Sequence, residues 1–347
     1  MSRARGLQFI IILMILLVIG VGSFLGVLVY LNQPPVGSSN KDIFFMVQQG
    51  ENLSEIAGRL EKDEVIQSAL FLILLGKVMG TESSFQAGPY KIKPGSTTLE
   101  VHKMLATGQR SRVKITIPEG WTVGKIADLL DGKGLVNRKD FLDAARSETL
   151  LRELEVPGTS VEGYLFPDTY FFPEVYAAEA IIRTMVGNFR NILKSIQPDL
   201  DSWDKKELHN TVILASIVER EYRIAEEAPL IASVFKNRMR YNIGLESCAS
   251  LEYIITEIQG KPHPKYITLE DKTLDSAYNT YRWYGLPPGP ISNPGKVALD
   301  ATFHSADTDY FYFVLKDPEM GRHYFSKNLT EHNQAKIQYL KGVSDQN

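Results

Sequence analysis

The sequence predicts an α+β protein: an N-terminal transmembrane helix, two small duplicated βα modules, then a mainly helical domain with a short β element. Three observations carry that prediction. Residues 9–31, "FIIILMILLVIGVGSFLGVLVYL", contain no charged side chain. Residues 47–66, "VQQGENLSEIAGRLEKDEVI", match 117–136, "IPEGWTVGKIADLLDGKGLV", at a constant shift of 70 positions. Beyond residue 157 the apolar spacing is helical, except for "DYFYFVL" at 309–315, which alternates as a strand.

At 1.5 Å per residue the first run is long enough to cross a hydrocarbon core of about 30 Å. Arg3 and Arg5 precede it and no comparable basic cluster follows closely. The positive-inside rule therefore keeps residues 1–8 in the cytoplasm and places the bulk of the chain outside. The run is longer than a signal-peptide core and no A-x-A site follows, which favours a retained anchor over 9–31. "NQPPVGSSNK" then reads as an extended linker, bounded at 32–42. A net charge of -3 leaves no broad basic field, so nucleic acid is not expected as a partner. The six histidines are scattered without HExxH spacing, so neither a metal nor a cofactor is expected. Cys248 is the single cysteine and cannot form an internal disulfide.

In the repeat, Gly50 pairs with Gly120, Ile56 with Ile126, Ala57 with Ala127, Leu60 with Leu130 and Phe71 with Phe141. Each copy has a β-like run, a glycine turn and a helix. In the first copy Leu53, Ile56, Ala57 and Leu60 supply the i, i+3, i+4, i+7 stripe. Residues 85–108 add a strand, a Pro-Gly turn and a helix capped at Thr97 or Thr98. The modules are bounded at 43–112 and 113–156. Their V-x-x-G-x-x-L-x-x-I-A-x-x-L pattern resembles the LysM module, a small peptidoglycan-binding βααβ unit.

The remaining 157–347 region opens with "VEGYLFPDTYFFP", an aromatic, proline-interrupted segment expected to be a rigid loop. Helices are expected over about 176–198 and 205–240. Residues 245–296 read as loop and short helix, "RHYFS" at 322–326 pairs with the strand, and a last helix starts near 330.

"ILASIVEREY" (213–222) places Glu219 and Glu221 at the end of an apolar helix. At about 100° per residue, Ile213, Leu214 and Ile217 share the core face and Glu221 projects near it. Glu219 points almost opposite, over the small residues Ala215 and Ser216, where open space is expected. Two readings of Glu219 stand side by side: an acid facing a ligand, or a surface glutamate paired with Arg223. Downstream, "AYNTYRWYGLPPGPISNPG" (277–295) combines Tyr278, Asn279, Thr280 and Tyr281 with a Gly/Pro frame. Such a stiff wall of polar-tipped aromatics suits stacking and hydrogen bonding to sugar rings.

The anchor, the LysM-like modules, "EGYLFPDTY" (162–170), "ASIVERE" (215–221), "YNTY" (278–281) and "GLPPGPISNPG" (285–295) occur in one order. Together they resemble the endolytic murein transglycosylases of the YceG-like family, across nearly the whole chain. The resemblance implies that Glu219 is the catalytic acid and Glu221 a supporting glutamate. Many members carry "LQSDPT" where this chain reads "LESCAS" (245–250), so Glu246 stands for the amide and Cys248 for the acid. Ser216, Glu246, Tyr278, Asn279, Thr280 and Tyr281 are further candidates for supporting or binding roles. Glu162 and Asp168 are expected to hold their loop or line the cleft.

The resemblance further implies cleavage of MurNAc-β-1,4-GlcNAc bonds to leave 1,6-anhydroMurNAc ends. The acid must then be protonated near neutral pH, through apolar burial or through a second carboxylate, Glu221 or Glu246. Arg223 would oppose this and is expected to face elsewhere when substrate is bound. Peptidoglycan strands and membrane-bound peptidoglycan synthases are the implied partners, at the bacterial inner membrane. Two other functions fit the same residues: a non-catalytic, membrane-tethered glycan binder, and a hydrolase that uses water.

Overall fold

The computed structural model describes residues 2–35, 42–108, 112–174, 176–200 and 203–340, without the side chains of 2–11 and 340. They form two compact units, Met1–Val113 with Pro173–Val175 and Lys114–Phe172 with Tyr176–Asn347. Helix and strand are mixed, as the sequence predicts. The expected linker falls largely on residues 36–41, which lie outside the described residues.

The first unit begins with α1 (Ser2–Asn32), whose stretch Ile12–Asn32 is long and apolar enough to cross a membrane. There follow β1 (Ile43–Val47), α2 (Leu53–Lys62), α3 (Ala69–Val78), β2 (Gly88–Ile92) and α4 (Thr98–Thr107). β1 and β2 pair antiparallel with Phe45 opposite Tyr90. α2 starts at a reciprocal cap: the Asn52 side chain accepts from the Glu55 N–H, and the Glu55 carboxylate accepts from the Asn52 N–H. Its predicted stripe, Leu53, Ile56, Ala57 and Leu60, is buried against Phe45, Tyr90, Val101 and Leu105. Of the two candidate caps for α4, Thr97 is the one used. The first turn of α4 is fastened to the end of α1. Thr98 Oγ1 donates to the Leu31 carbonyl (3.1 Å), and the Leu99 N–H donates to Asn32 Oδ1 (2.9 Å).

The second repeat forms β3 (Arg112–Thr116), α5 (Val123–Gly132), α6 (Arg138–Ala145), α7 (Glu148–Glu153) and β4 (Thr169–Pro173), with β3 paired to β4. Its return strand therefore comes from the segment read as a rigid loop. Its helices belong to the same compact unit as the region beyond 157.

That region supplies α8 (Ala178–Ile196), α9 (Lys205–Glu221), α10 (Ala228–Arg240), α11 (Cys248–Tyr253), α12 (Lys296–Phe303), β5 (Tyr312–Asp317), β6 (Arg322–Ser326) and α13 (Leu329–Leu340). The helix expected over 205–240 is two helices. Tyr222 is extended (φ -72°, ψ 150°), and Pro229 sits in the first turn of α10, where its missing N–H costs nothing. β5 and β6 pair antiparallel, Phe313 opposite Phe325. α9 is enclosed: every residue from Val212 to Val218 is buried.

Candidate active site

The burial of α9 corrects one expectation. Val212, Ala215 and Ser216 are all buried, and residues 291 and 292 are bonded onto Ser216. Ser216 Oγ donates to the Ile213 carbonyl (2.7 Å) and accepts from the Ile291 N–H (3.0 Å). The Ser216 carbonyl accepts from Ser292 Oγ (3.0 Å). Ser216 is a fastener, closed to any ligand. Helical arithmetic placed the residue correctly, but it cannot show which loop comes to cover a face.

Glu219 lies where three segments meet. Its Oε2 accepts from the Gly295 N–H (2.9 Å), the residue that caps α12. Glu119 lies against the same glycine, so a Cβ on Gly295 would overlap its carboxyl group. Burial pushes the Glu219 carboxyl up to about 8; the Gly295 N–H opposes this, Glu119 adds to it and Arg220 opposes it. The second carboxylate is thus Glu119, not Glu221 or Glu246 as expected. Arg223 is exposed, packs against Gly321 and makes no ion pair with Glu219. The Tyr222 hydroxyl is pushed up by burial and by Glu219 and Glu119.

Asn293 ties this corner together. It is fully buried, its Nδ2 donates to the Trp121 carbonyl (2.9 Å) and Glu162 Oε1 (3.0 Å), and its Oδ1 accepts from the Leu165 N–H (2.9 Å). Its backbone joins the same loop: the Asn293 N–H donates to the Trp121 carbonyl, and the Gly120 N–H donates to the Asn293 carbonyl. "EGW", "EGYL" and "SNPG" are therefore one hydrogen-bonded assembly.

Glu221 faces different surroundings. It lines a cavity of about 270 Å³ together with Glu246, Ser247, Cys248, Tyr281 and Lys272. Ser247 Oγ donates to its Oε1 (2.6 Å), and Oε2 has no hydrogen bond among the described residues. Burial raises the Glu221 carboxyl, Ser247 opposes, Glu252 raises it further and Arg220 opposes. Arg220 bridges Glu252 (2.8 Å) and the Gly120 carbonyl (3.2 Å). Tyr281 sets its hydroxyl 3.1 Å from Cys248 Sγ. Glu246 sits at φ 53° with its carboxylate 3.5 Å from Arg238.

Asn279 and Thr280, read as candidates for sugar contact, are buried and committed. Asn279 Nδ2 donates to the Lys272 and Leu274 carbonyls (3.0 and 2.8 Å). Thr280 Oγ1 accepts from the Ser247 N–H (3.0 Å) and lies 2.9 Å from Ser250 Oγ. Thr280 thereby fixes the turn that aims Ser247 at Glu221.

Tyr278 and Glu162 meet at another cavity, of about 800 Å³, with Tyr253 and Glu257. Glu162 accepts from the Val123 N–H (3.0 Å) as well as from Asn293, and burial raises it to about 8. Asp168 is structural: it accepts from Asn188 Nδ2 (3.0 Å) and the Thr169 N–H (2.7 Å), and its carbonyl accepts from the Ile117 N–H.

Raised proton affinity therefore does not single out one acid, since Glu162, Glu219 and Glu221 all show it. Access separates them only in part: Glu162 and Glu221 each line one of the two cavities described above, and Glu219 lines neither. The sequence reading passed over Glu119, Arg220, Ser247, Asn293 and Gly295. The glycine in "EGW" and the "SNPG" run marked tight backbone, but not which backbone it would meet.

The YceG-like family model matches residues 45–338. The endolytic murein transglycosylase of Bacillus subtilis (strain 168) is 30% identical over 329 residues, covering 90% of this chain and 89% of the relative. That of Streptococcus pneumoniae serotype 2 (strain D39) is 28% identical over 339 residues, and the match covers 88% of this chain but only 60% of the longer relative. A crystal structure of a YceG-like protein from Listeria monocytogenes matches with a TM-score of 0.56 at 30% identity, over 85% of this chain and 99% of that one. On the match of the family model and of these relatives, the chain belongs to the YceG-like family.

Proposed function

We propose that the chain is a membrane-anchored lytic transglycosylase that cuts MurNAc-β-1,4-GlcNAc bonds within nascent peptidoglycan strands, with Glu221 as its acid. The relatives' names support the activity. One observation supports the residue: Glu221 opens onto a cavity that also gathers Tyr281 and Glu246, whereas Glu219, the expected acid, is tied into the join with Gly295. Glu219 then acts as the fastening carboxyl of α9.

A single carboxyl suffices for the chemistry. Protonated Glu221 gives its proton to the glycosidic oxygen as the bond from that oxygen to C1 of MurNAc breaks. The O6 of the same MurNAc then bonds to C1, and its proton passes to the Glu221 carboxylate. The product is a 1,6-anhydro ring, no water is consumed, and the acid is restored. Burial favours the protonated form of Glu221; the Ser247 hydroxyl holds one oxygen and leaves the other for the substrate. Tyr281, which lines the same cavity, orients the sugar's polar substituents in this reading.

Residues 9–31 anchor the protein in the inner membrane with its N-terminus inside, close to the synthases that extrude new strands. The 43–112 and 113–156 repeats serve as LysM-like glycan contacts for the domain over 157–347; the strand–helix–helix–strand order of the first supports this.

Full-length protein incubated with purified glycan strands tests the reading by mass spectrometry of chain ends. Anhydro ends are expected from the natural protein and from Glu219→Gln, within about tenfold, and a loss of about 10²–10⁴-fold from Glu221→Gln. Loss with Glu219→Gln alone returns the role to that residue. Reducing ends instead mean a hydrolase, and uncut strands a glycan binder.

A further inference from the structure

Helix α3 carries an apolar stripe that its own unit leaves uncovered. Leu70, Leu74 and Val78 are 76%, 51% and 78% exposed, and Met79, just past the helix, is 55% exposed. A spacing of four residues drifts only about 40° per step, so the three side chains share one narrow face. The other face is committed to the core: Phe71 and Leu72 are buried and Gly76 packs against Leu53. The ten residues "ALFLILLGKV" include no acid and one base, the exposed Lys77.

The position of α3 indicates what covers it. α3 packs on α4. The first turn of α4 is bonded to Leu31 and Asn32, the last residues of the membrane-length helix. The stripe thus sits one helix away from the point where the apolar run ends. A second patch of lipid-compatible side chains there is continuous with the span itself. A helix with an apolar face and a cationic flank suits the headgroup–acyl boundary, where the lysine stem can reach up to phosphate. We infer that α3 lies on the outer face of the bilayer as an interfacial helix, with Leu70, Leu74 and Val78 inserted and Lys77 at the headgroups. The inference rests on the anchor reading above and adds a second membrane contact to it.

Spin labels on the full-length chain decide the matter. The background is Cys248→Ser, reconstituted in phosphatidylcholine–phosphatidylglycerol vesicles, with single labels at Leu74→Cys and, as an independent copy, Leu70→Cys. Leu17→Cys reports the span and Lys62→Cys reports water. Both α3 labels are expected to relax several-fold more with dissolved oxygen than with a water-soluble nickel chelate, as the Leu17 label does, and the Lys62 label to do the reverse. α3 labels that behave like Lys62 overturn the inference. So do α3 labels shielded from both reagents, which would mean that a protein surface covers the stripe. If the Leu17 label is itself open to the chelate, the anchor reading falls and the inference with it. A lipid-facing Leu17 beside water-facing α3 labels sinks the inference alone.

Discussion

Ser247 Oγ donates to Glu221 Oε1 across 2.6 Å although Ser247 stands at the N-cap of α11 and makes no side-chain cap there. A serine in that position ordinarily satisfies the first N–H groups of its helix. Here the hydroxyl is spent on the carboxyl group, and the Thr280 bond to the Ser247 N–H holds it in line. Removing a donor to the charged form raises the acid's proton affinity. Ser247→Ala is therefore expected to move the alkaline limb of kcat/KM upward, by about one pH unit or less. A limb that stays in place rules out Glu221 as the titrating acid.

Glu219 predicts a pH-dependent stability. Its folded carboxyl is raised from 4.5 to about 8, so the folded chain holds that proton more tightly than the unfolded chain. The contribution is present in full below about pH 4.5 and is lost as pH rises through about 8. Glutamine keeps the neutral form at every pH. Glu219→Gln should therefore gain stability relative to the natural chain between pH 5 and pH 9, on the order of 2–4 kcal/mol. Urea unfolding at the two values measures it, and a constant difference would refute the assignment of a neutral buried carboxyl.

Two glycines with similar backbone angles should respond differently to alanine. Gly50 (φ +89°) has open space where a Cβ would stand, so Gly50→Ala meets only the left-handed strain, about 1 kcal/mol. Gly163 (φ +84°) would drive its Cβ into the Pro290 ring, which cannot swing away. Gly163→Ala is expected to cost about 3 kcal/mol or more, read from denaturant midpoints.

Asn293→Ala removes three side-chain hydrogen bonds from a fully buried position and strands the Leu165 N–H. The expected loss is about 2–4 kcal/mol of stability, seen as a lower melting temperature. Melting that is unchanged would mean that the three segments do not depend on this residue for their junction.

What could be seen in the sequence follows the range of the forces involved. The stripe of Leu53, Ile56, Ala57 and Leu60, and the cap at Thr97, are set by neighbours within one turn of helix, and they occur where predicted. The break after Glu221 was missed because 205–240 keeps its apolar spacing through it; Pro229 was the local mark of a new start. Asn279 and Thr280 look like sugar contacts in a line of text, but burial turns their polar groups inward on their own loop. Glu119 meets Gly295 across 176 positions of chain, a pairing that no local pattern specifies.

The two glutamates of α9 stand about 200° apart on one turn of helix. One is stitched to the Gly295 backbone while the other looks into the cavity. A rigid turn cannot shift one without shifting the other. Residues of the Glu119–Trp121 bend, which do not line that cavity, therefore set the height and angle at which the acid is presented, and changes in that bend should be read out as altered turnover.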